Sequence, residues 1–203
     1  MSSQASNSKA ENSNPPGSIK VLISGRPGIG KSTVFMRVVE GLKLAGLRPC
    51  GFYCPEIRIG GVRKGFKIVS LGLPLEGILS YVCGEMDGLS NLTVGKYCVK
   101  VDDALSVGLR SLEYAEKECD IVAIDEVGPM ELKVRELGRK IWEVLYSPKP
   151  TIAVVHIRSF DEVRRTLTSR SLQVLSYIVT ESNRDNLHNE IIHRLVGSRW
   201  RTL

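Results

Sequence analysis

The sequence predicts an α/β fold, with a doubly wound, mostly parallel β-sheet and an inserted β-hairpin. Three observations support this fold class. Apolar runs of strand length alternate with segments of helical periodicity along most of the chain. A glycine-rich loop lies between the first strand and the first helix, and a later apolar run ends in two carboxylates. Both features belong at the carboxyl edge of a parallel sheet.

The glycine-rich loop follows the first predicted strand, Ile19 to Ser24. Behind the loop, apolar residues at helical spacing predict the first helix: Val34, Val38, Leu42 and Ala45. The loop fits the phosphate-binding pattern G-x-x-x-x-G-K-[ST] at every required position. Its residues are Gly25, Arg26, Pro27, Gly28, Ile29, Gly30, Lys31, Ser32 and Thr33.

This loop predicts a nucleoside triphosphate site. Its glycines let backbone N–H groups turn onto phosphate oxygens, which Cβ atoms would obstruct. Lys31 would place a positive charge on the β and γ phosphates. The Ser32 hydroxyl would bind the Mg²⁺ ion that bridges the same oxygens. Thr33 is expected in the first turn of the helix as a neighbour of these groups and not as a metal ligand.

The segment after the first helix predicts a strand and then a hairpin. Cys50 to Cys54 form the second predicted strand, and residues 56–69 alternate in polarity around a Gly-Gly pair, as in a hairpin. Arg63 of this hairpin either reaches toward the phosphates or belongs to its solvated face. Residues 73–101 show no legible pattern.

A helix beginning at Asp102 and a buried strand over residues 121–126 are predicted next. The apolar stripe assigned to the helix consists of Leu105, Leu109, Leu112 and Cys119. The strand ends in Asp125 and Glu126. In this arrangement the carboxyl end of a strand delivers an aspartate to the Mg²⁺ shell, so Asp125 is predicted to be a metal ligand.

Glu126 has two readings. Side chains alternate along a strand, so the residue after the metal aspartate can turn toward the attacking water and act as general base. Alternatively, Glu126 is a surface residue that begins the next loop. We predict the first role, with Lys31 also acting in catalysis.

The alternation of elements continues to the end of the chain. The predicted elements are a helix over residues 134–145, a strand over 151–155, a helix over 160–167, a strand over 173–179 and a helix over 187–195. His156 follows one of these strands and is a candidate catalytic residue. It either orients water or senses the γ-phosphate, or it forms only local hydrogen bonds.

Length and composition fit one soluble domain, since 42% of the 203 residues are hydrophobic and 25% are charged. Residues 1–17 are rich in Ser and Asn and are expected to form a disordered tail, followed by one domain over residues 18–203. The tail lacks the apolar core of a signal peptide, and no later stretch is long enough to span a bilayer. We therefore expect a cytoplasmic protein without a membrane partner.

Charge and cysteine content restrict the partners further. The formal charge of +6 is compatible with a phosphate-binding enzyme. No block of Lys and Arg is interleaved with aromatic residues, so nucleic-acid binding is not expected. The five cysteines are an odd number without C-x-x-C spacing. We expect no disulfides and no zinc site, and a protein that acts as a monomer.

Five segments together carry a resemblance to one known family. They are residues 25–33, residues 51–53 with 60–66, residues 94–97, residues 124–131 and residues 179–184. Over about residues 19–197 the chain resembles the small P-loop nucleoside-triphosphatases of thermophilic archaea and bacteria, which include the eukaryotic cancer-related nucleoside-triphosphatase. It departs at Pro129, where that family commonly has a lysine, so any contact made by that lysine is absent here.

The resemblance implies a RecA-like P-loop core and slow, Mg²⁺-dependent hydrolysis of several nucleoside triphosphates, namely ATP, GTP, CTP and UTP, to diphosphates. It also implies a loose choice of base. The segment Asn183-Arg184, after the last predicted strand, is the expected wall of the base pocket and is assigned to nucleotide binding.

Two other functions stay open at this stage. A kinase would use the same loop, Mg²⁺ and arginines to pass the γ-phosphate to a small acceptor instead of water. A nucleotide-dependent switch would use Gly128, because residues 125–128 satisfy the D-x-x-G pattern of signalling GTPases. The chain has no N-K-x-D guanine motif, which argues against the switch.

Overall fold

The computed structural model describes residues 19–170 and 172–197. The predicted tail over residues 1–17 lies outside this part of the chain. The strands are β1 (Lys20–Ser24), β2 (Pro49–Tyr53), β3 (Glu56–Ile59), β4 (Val62–Ser70), β5 (Glu76–Val82), β6 (Thr93–Val94), β7 (Tyr97–Val99), β8 (Ile121–Val127), β9 (Thr151–Val155) and β10 (Val174–Ile178).

The helices alternate with the strands of the parallel region. They are α1 (Lys31–Leu44), α2 (Val101–Asp103), α3 (Arg110–Glu118), α4 (Pro129–Lys133), α5 (Arg135–Tyr146), α6 (Phe160–Thr168) and α7 (Leu187–Gly197). A π-helical segment, Ala104–Leu109, joins α2 to α3. Within the described residues, no helix combines the length and apolar character that crossing a membrane requires.

The strands form one sheet with a parallel and an antiparallel part. The parallel part has the order β10-β1-β9-β8-β2. The sheet continues through β4, β5, β7 and β6, which are antiparallel to their neighbours, and β3 pairs with β4. The predicted α/β fold with an inserted hairpin is therefore confirmed. The hairpin itself is β3–β4, and the insertion also contains β5, β6 and β7, where the sequence shows no legible pattern.

The parallel strands are buried on both faces. Along β1, Val21 and Ile23 pack into one apolar cluster, whereas Leu22 packs into the other. Strand β8 alternates in the same way, with Ala123 and Ile124 in different clusters. Because side chains on a strand alternate between the two faces, the two clusters are the cores above and below the sheet. They fix the carboxyl ends of the strands at a common edge.

The helical segment over residues 101–118 buries only part of the predicted stripe, since Leu112 and Cys119 are buried. Leu105 and Leu109 are only partly buried, whereas Ala104, Val107 and Gly108 are buried. The prediction was wrong for the first half of the stripe because the π-helical segment has more residues per turn than an α-helix and rotates the buried face.

The expectation of no disulfides is also wrong. Cys50 is bonded to Cys119, with Cα atoms 6.0 Å apart, and Cys83 is bonded to Cys98, with Cα atoms 5.0 Å apart. Cys54 is the fifth cysteine and is free. The first pair is 69 residues apart in sequence, so pairing depends on β2 lying beside β8, which cysteine spacing does not reveal.

Candidate functional site

The candidate site lies where five parallel strands end. The glycine-rich loop follows β1, Cys54 follows β2, Asp125 lies near the end of β8, His156 follows β9 and Val179 follows β10. Ligand sites of open α/β sheets form at this edge. The topology therefore brings the predicted loop, acidic pair and histidine to the same side of the sheet.

The loop after β1 has the conformation that a phosphate site requires. Gly28 and Gly30 have φ angles of 76° and 107°, which side chains other than glycine rarely adopt. Ile29 between them is only 4% exposed and packs into the core, so it anchors the loop. Lys31 begins α1, and its Nζ donates to the Arg26 carbonyl across the loop at 3.3 Å. The loop, the helix N-terminus and the ammonium thus face the same space.

The segment after β10 packs against this loop. A Cβ atom on Gly25 would lie 2.9 Å from the Val179 carbonyl oxygen, so only glycine permits this approach. The Arg26 guanidinium forms an ion pair with Glu181. Arg184 is exposed, and its Cδ would lie 4.0 Å from a Cβ atom on Gly30. Arg184 is thus beside the phosphate loop.

Asn183 is occupied by the backbone of its own loop. Its Oδ1 accepts from the Thr180 N–H at 2.8 Å, and its Nδ2 donates to the Ile178 carbonyl at 2.9 Å. Its side chain therefore shapes the loop that follows β10. Nucleotide contact by Asn183 stays a prediction.

Asp125 faces the phosphate loop from β8. Its carboxylate lies beside the Ser32 hydroxyl, and the residue is only 4% exposed. The pairing between β8 and β9 shifts at this point, since Asp125 pairs with Val154 and Val127 pairs with Val155. Glu126 is thereby left out of the pairing. This irregularity releases Glu126 from the strict alternation of the strand, so consecutive carboxylates can both serve the site.

Burial disturbs the acid–base properties of both carboxylates. Burial raises the pKa of Asp125 to about 7, with Ser32 and Lys31 opposing the increase and Glu126 adding to it. Burial also raises the pKa of Glu126, against the opposing charge of Lys31. Two acids and one ammonium therefore interact within the site.

A third carboxylate, Glu131, lies next to this pair. It is only 3% exposed on α4, and its Oε2 accepts from the Gly128 N–H at 3.2 Å. Burial, together with the charges of Glu126 and Asp125, raises its pKa to about 8. Sequence reasoning gave Glu131 no role of its own. The signal for it was a proline followed two residues later by glutamate, which is typical of the first turn of a helix.

Cys54 completes the acidic region from the end of β2. Its sulfur lies beside the Glu126 backbone. Burial, followed by the charges of the three neighbouring carboxylates, raises the pKa of the thiol well above its usual value. The thiol is thus protonated at neutral pH and is no nucleophile. Its position follows from β2 pairing with β8, which the sequence alone did not show.

His156 lies close enough to the loop for the charge of Lys31 to affect its pKa. Partial burial lowers its pKa, and the charges of Arg158 and Lys31 lower it further. Its Nδ1 accepts from the Arg158 backbone N–H at 3.3 Å. A neutral imidazole whose Nδ1 accepts carries its proton on Nε2. The predicted local hydrogen bond is thus observed. A role of His156 toward water or the γ-phosphate stays a prediction.

Arg63 lies in the antiparallel part of the sheet. Its guanidinium donates to Glu56 at 2.7 Å and to the Tyr97 hydroxyl at 3.0 Å, and it stacks 5.2 Å from the centre of the Phe66 ring. These contacts belong to the hairpin and its neighbour β7. A contact between Arg63 and nucleotide stays a prediction.

A cavity of about 960 Å³ adjoins Asp125. Ser32 and Asp125 belong to its lining, together with Tyr53 of β2, Cys54 after β2, and His188 of α7. This volume is within the range of small-molecule sites. It gives the site room for more than a triphosphate.

The donor set is suited to Mg²⁺. Ser32 offers a hydroxyl and Asp125 a carboxylate, both hard oxygen ligands, beside a loop shaped for phosphate. The burial of Asp125 disfavours its charged form, and a cation at this position would reverse that effect. Few protein ligands are needed, because Mg²⁺ in such sites keeps waters and phosphate oxygens in its shell.

Several known proteins are similar to this chain in sequence. The family model described as NTPase matches residues 20–192. Nucleoside-triphosphatase THEP1 of Methanocaldococcus jannaschii is 36% identical over 179 residues, covering 88% of this chain and 98% of that relative.

Two solved structures are similar in fold as well. The crystal structure of THEP1 from the hyperthermophile Aquifex aeolicus has a TM-score of 0.72 at 29% identity, covering 87% of this chain and 98% of the other. The solution structure of a human cancer-related nucleoside triphosphatase has a TM-score of 0.68 at 30% identity, covering 85% and 95%. The resemblance seen in the five sequence segments is confirmed, and the chain belongs to the NTPase family.

Proposed function

We propose that the protein is a Mg²⁺-dependent nucleoside-triphosphatase that hydrolyses ATP, GTP, CTP and UTP to the diphosphate and phosphate, with a loose choice of base. One observation carries the proposal. Asp125 on β8 lies beside Ser32 at the end of the phosphate loop, with Glu126 released from the strand next to it. This arrangement supplies phosphate binding, metal binding and a base in one place. The names of the family relatives support the same activity.

In the proposed reaction the loop backbone and Lys31 bind the β and γ phosphates. Ser32 and Asp125 would hold Mg²⁺, which when bound supplies charge neutralisation across the β and γ oxygens. Glu126 accepts a proton from water as the water oxygen attacks the γ-phosphorus. The bond from the γ-phosphorus to the bridging oxygen breaks, and the diphosphate leaves with that oxygen.

His156 has a supporting part in the proposal. Its Nε2–H, on a neutral ring, would donate to a γ-phosphate oxygen or to the attacking water. Because its Nδ1 accepts from the Arg158 N–H and burial lowers its pKa, His156 stabilises charge and does not take the proton.

A kinase is the second candidate, favoured by the cavity beside Ser32 and Asp125. A small acceptor in that cavity would present a hydroxyl in place of water, with the same loop and carboxylates.

A product assay distinguishes the two candidates. Purified protein is incubated with Mg²⁺ and each triphosphate, with and without nucleosides, and all phosphate-containing products are measured. Hydrolysis predicts equal amounts of diphosphate and free phosphate without any acceptor, at similar rates for the four bases, and no product when Mg²⁺ is chelated. Formation of a phosphorylated nucleoside, together with little free phosphate when no nucleoside is added, would establish the kinase instead.

A further inference from the structure

Glu131 is a buried carboxylate that the proposed reaction does not use. It lies on α4, two residues after Pro129 opens that helix. The residue is only 3% exposed, and its Oε2 accepts from the Gly128 N–H. Burying a carboxyl group costs free energy, and such groups cluster at functional sites, so its position beside the proposed base calls for an explanation.

The space above Gly128 is shared by two carboxylates. A Cβ atom on Gly128 would lie 2.7 Å from Glu126 Oε1 and 3.1 Å from Glu131 Oε2. The backbone of Gly128 is in an extended conformation that any residue adopts, with φ −138°. Glycine is therefore needed here for space, because a side chain would displace the Glu126 carboxylate.

Helix α4, which carries Glu131, is held by the antiparallel part of the sheet. The Ser80 hydroxyl on β5 donates to the Met130 sulfur at 3.2 Å, and the Lys133 ammonium donates to the Thr93 carbonyl at 2.8 Å. The α4 backbone closes its own first turn, with Leu132 N–H donating to the Gly128 carbonyl at 3.0 Å. Glu131 thus projects from a helix that is anchored at two points.

These contacts connect the anchored helix to the proposed base. We infer that Glu131 is a positioning residue: through the Gly128 N–H it fixes the turn after β8 and thereby holds the Glu126 carboxylate toward the attacking water. The Cys54 thiol at the end of β2 also lies beside the Glu126 backbone. Displacement of a general base lowers kcat steeply even when substrate binding is unchanged. This inference rests on the proposed role of Glu126.

The test measures kcat and KM for ATP hydrolysis in Glu131→Ala and Glu131→Gln, together with the affinity and stoichiometry of binding of a non-hydrolysable ATP analogue. Glu131→Ala is expected to lower kcat at least tenfold and to leave the affinity for the analogue within about threefold. Glu131→Gln keeps an oxygen that can accept from the Gly128 N–H and is expected to retain most of the rate. Glu136→Ala, which removes an exposed glutamate from the first turn of α5, is the matched control and should match the wild type.

The same substitutions in a Glu126→Gln background separate positioning from a general structural role. If Glu131 acts through Glu126, Glu131→Ala should lower the residual rate by less than about twofold there. An equal loss of rate in both backgrounds, or wild-type kcat in Glu131→Ala alone, overturns the inference. Wild-type activity of Glu126→Gln itself would instead overturn the base assignment in the proposed function.

Gly128→Ala tests the space shared by Glu126 and Glu131 and leaves both of these residues unsubstituted. Its added methyl group should push Glu126 aside and lower kcat at least tenfold, with nucleotide binding unchanged. Gly197→Ala, at a helix end where an added Cβ meets open space, is its control. This pair keeps the inference testable if Glu131→Ala does not fold, and an active Gly128→Ala variant contradicts it.

Discussion

At the scale of single residues, Lys31 is the charge on which phosphate binding depends. Lys31→Ala removes the ammonium that lies across the loop from the Arg26 carbonyl. A charged contact with phosphate in a site shielded from water is worth a few kcal/mol, so kcat/KM for ATP should fall about a hundredfold or more. Lys43→Ala, at the exposed end of the same helix, should stay at the wild-type level. Near-normal hydrolysis by Lys31→Ala would exclude the loop as the site.

Asp125 and Glu126 should affect different steps. Glu126→Gln keeps the size of the side chain, so Mg²⁺ and nucleotide affinity should stay within a few fold while kcat falls about a hundredfold or more, as is usual when a general base is lost. The rates are measured under single turnover, and affinity by titration with an ATP analogue. If Glu126→Gln lost nucleotide binding, Glu126 would be a ligand and not the base.

Asp125→Asn removes the charge of the proposed metal ligand. It should raise the Mg²⁺ concentration needed for half-maximal rate as well as lower the rate, because Asp125 acts through the metal shell. An unchanged Mg²⁺ dependence would argue that Asp125 only orients Ser32.

The sequence predicted these residues because their spacing reflects chemistry that acts locally. A loop pattern between a strand and a helix, and an acidic pair at a strand end, are visible without a structure. The shift of pairing at Glu126 was not predictable, since it depends on how β8 lies against β9. Glu131 and Cys54 reach the site through α4 and β2, which are contacts between elements.

At the scale of elements, β1 carries a buried lysine, Lys20, that makes the free energy of unfolding of the protein depend on pH. Lys20 is 0% exposed, and its ammonium donates to the Val144 carbonyl, the Lys149 carbonyl and the Thr151 hydroxyl. Burial lowers its pKa from 10.5 to about 8. Between these values the unfolded chain binds more protons than the folded protein, so the free energy of unfolding rises with pH.

Lys20→Met removes this dependence. Compared with the variant, the wild type should gain stability of the order of 1 to 3 kcal/mol as the pH rises from 7 to 10. Urea unfolding of both proteins at pH 7, 8.5 and 10 measures the difference between their free energies of unfolding. The contributions of the other titrating groups are common to both proteins and cancel in this difference. A difference independent of pH would mean that Lys20 keeps its ordinary pKa in the fold.

The elements also show which parts of the fold could not be predicted from sequence patterns. Strands and helices with strong periodicity, such as β8, α5 and β9, were predicted at nearly their observed bounds. Strands β5 to β7 were not predicted, because β6 and β7 have only two and three residues and depend on pairing between strands, β7 with β5 and β6 with β7. The disulfides were missed for the same reason, since each depends on a contact between elements.

At the scale of the whole molecule, base choice should be loose. The segment after β10 reaches the phosphate loop through Arg184, while the Asn183 side chain is bound to its own backbone. We expect kcat/KM for ATP, GTP, CTP and UTP to agree within about tenfold. A preference of about a thousandfold, or roughly 4 kcal/mol, would require hydrogen bonds dedicated to one base.

The source of the oxygen in the released phosphate tests the central claim most directly. ATP is hydrolysed by the purified protein with Mg²⁺ in ¹⁸O-enriched water under single turnover, and both products are analysed by mass spectrometry. Attack of water on the γ-phosphorus predicts one solvent oxygen in each phosphate and none in the diphosphate, with label appearing about a hundredfold more slowly in Glu126→Gln. Solvent oxygen in the diphosphate, or equally fast labelling in Glu126→Gln, would contradict hydrolysis by water that Glu126 activates.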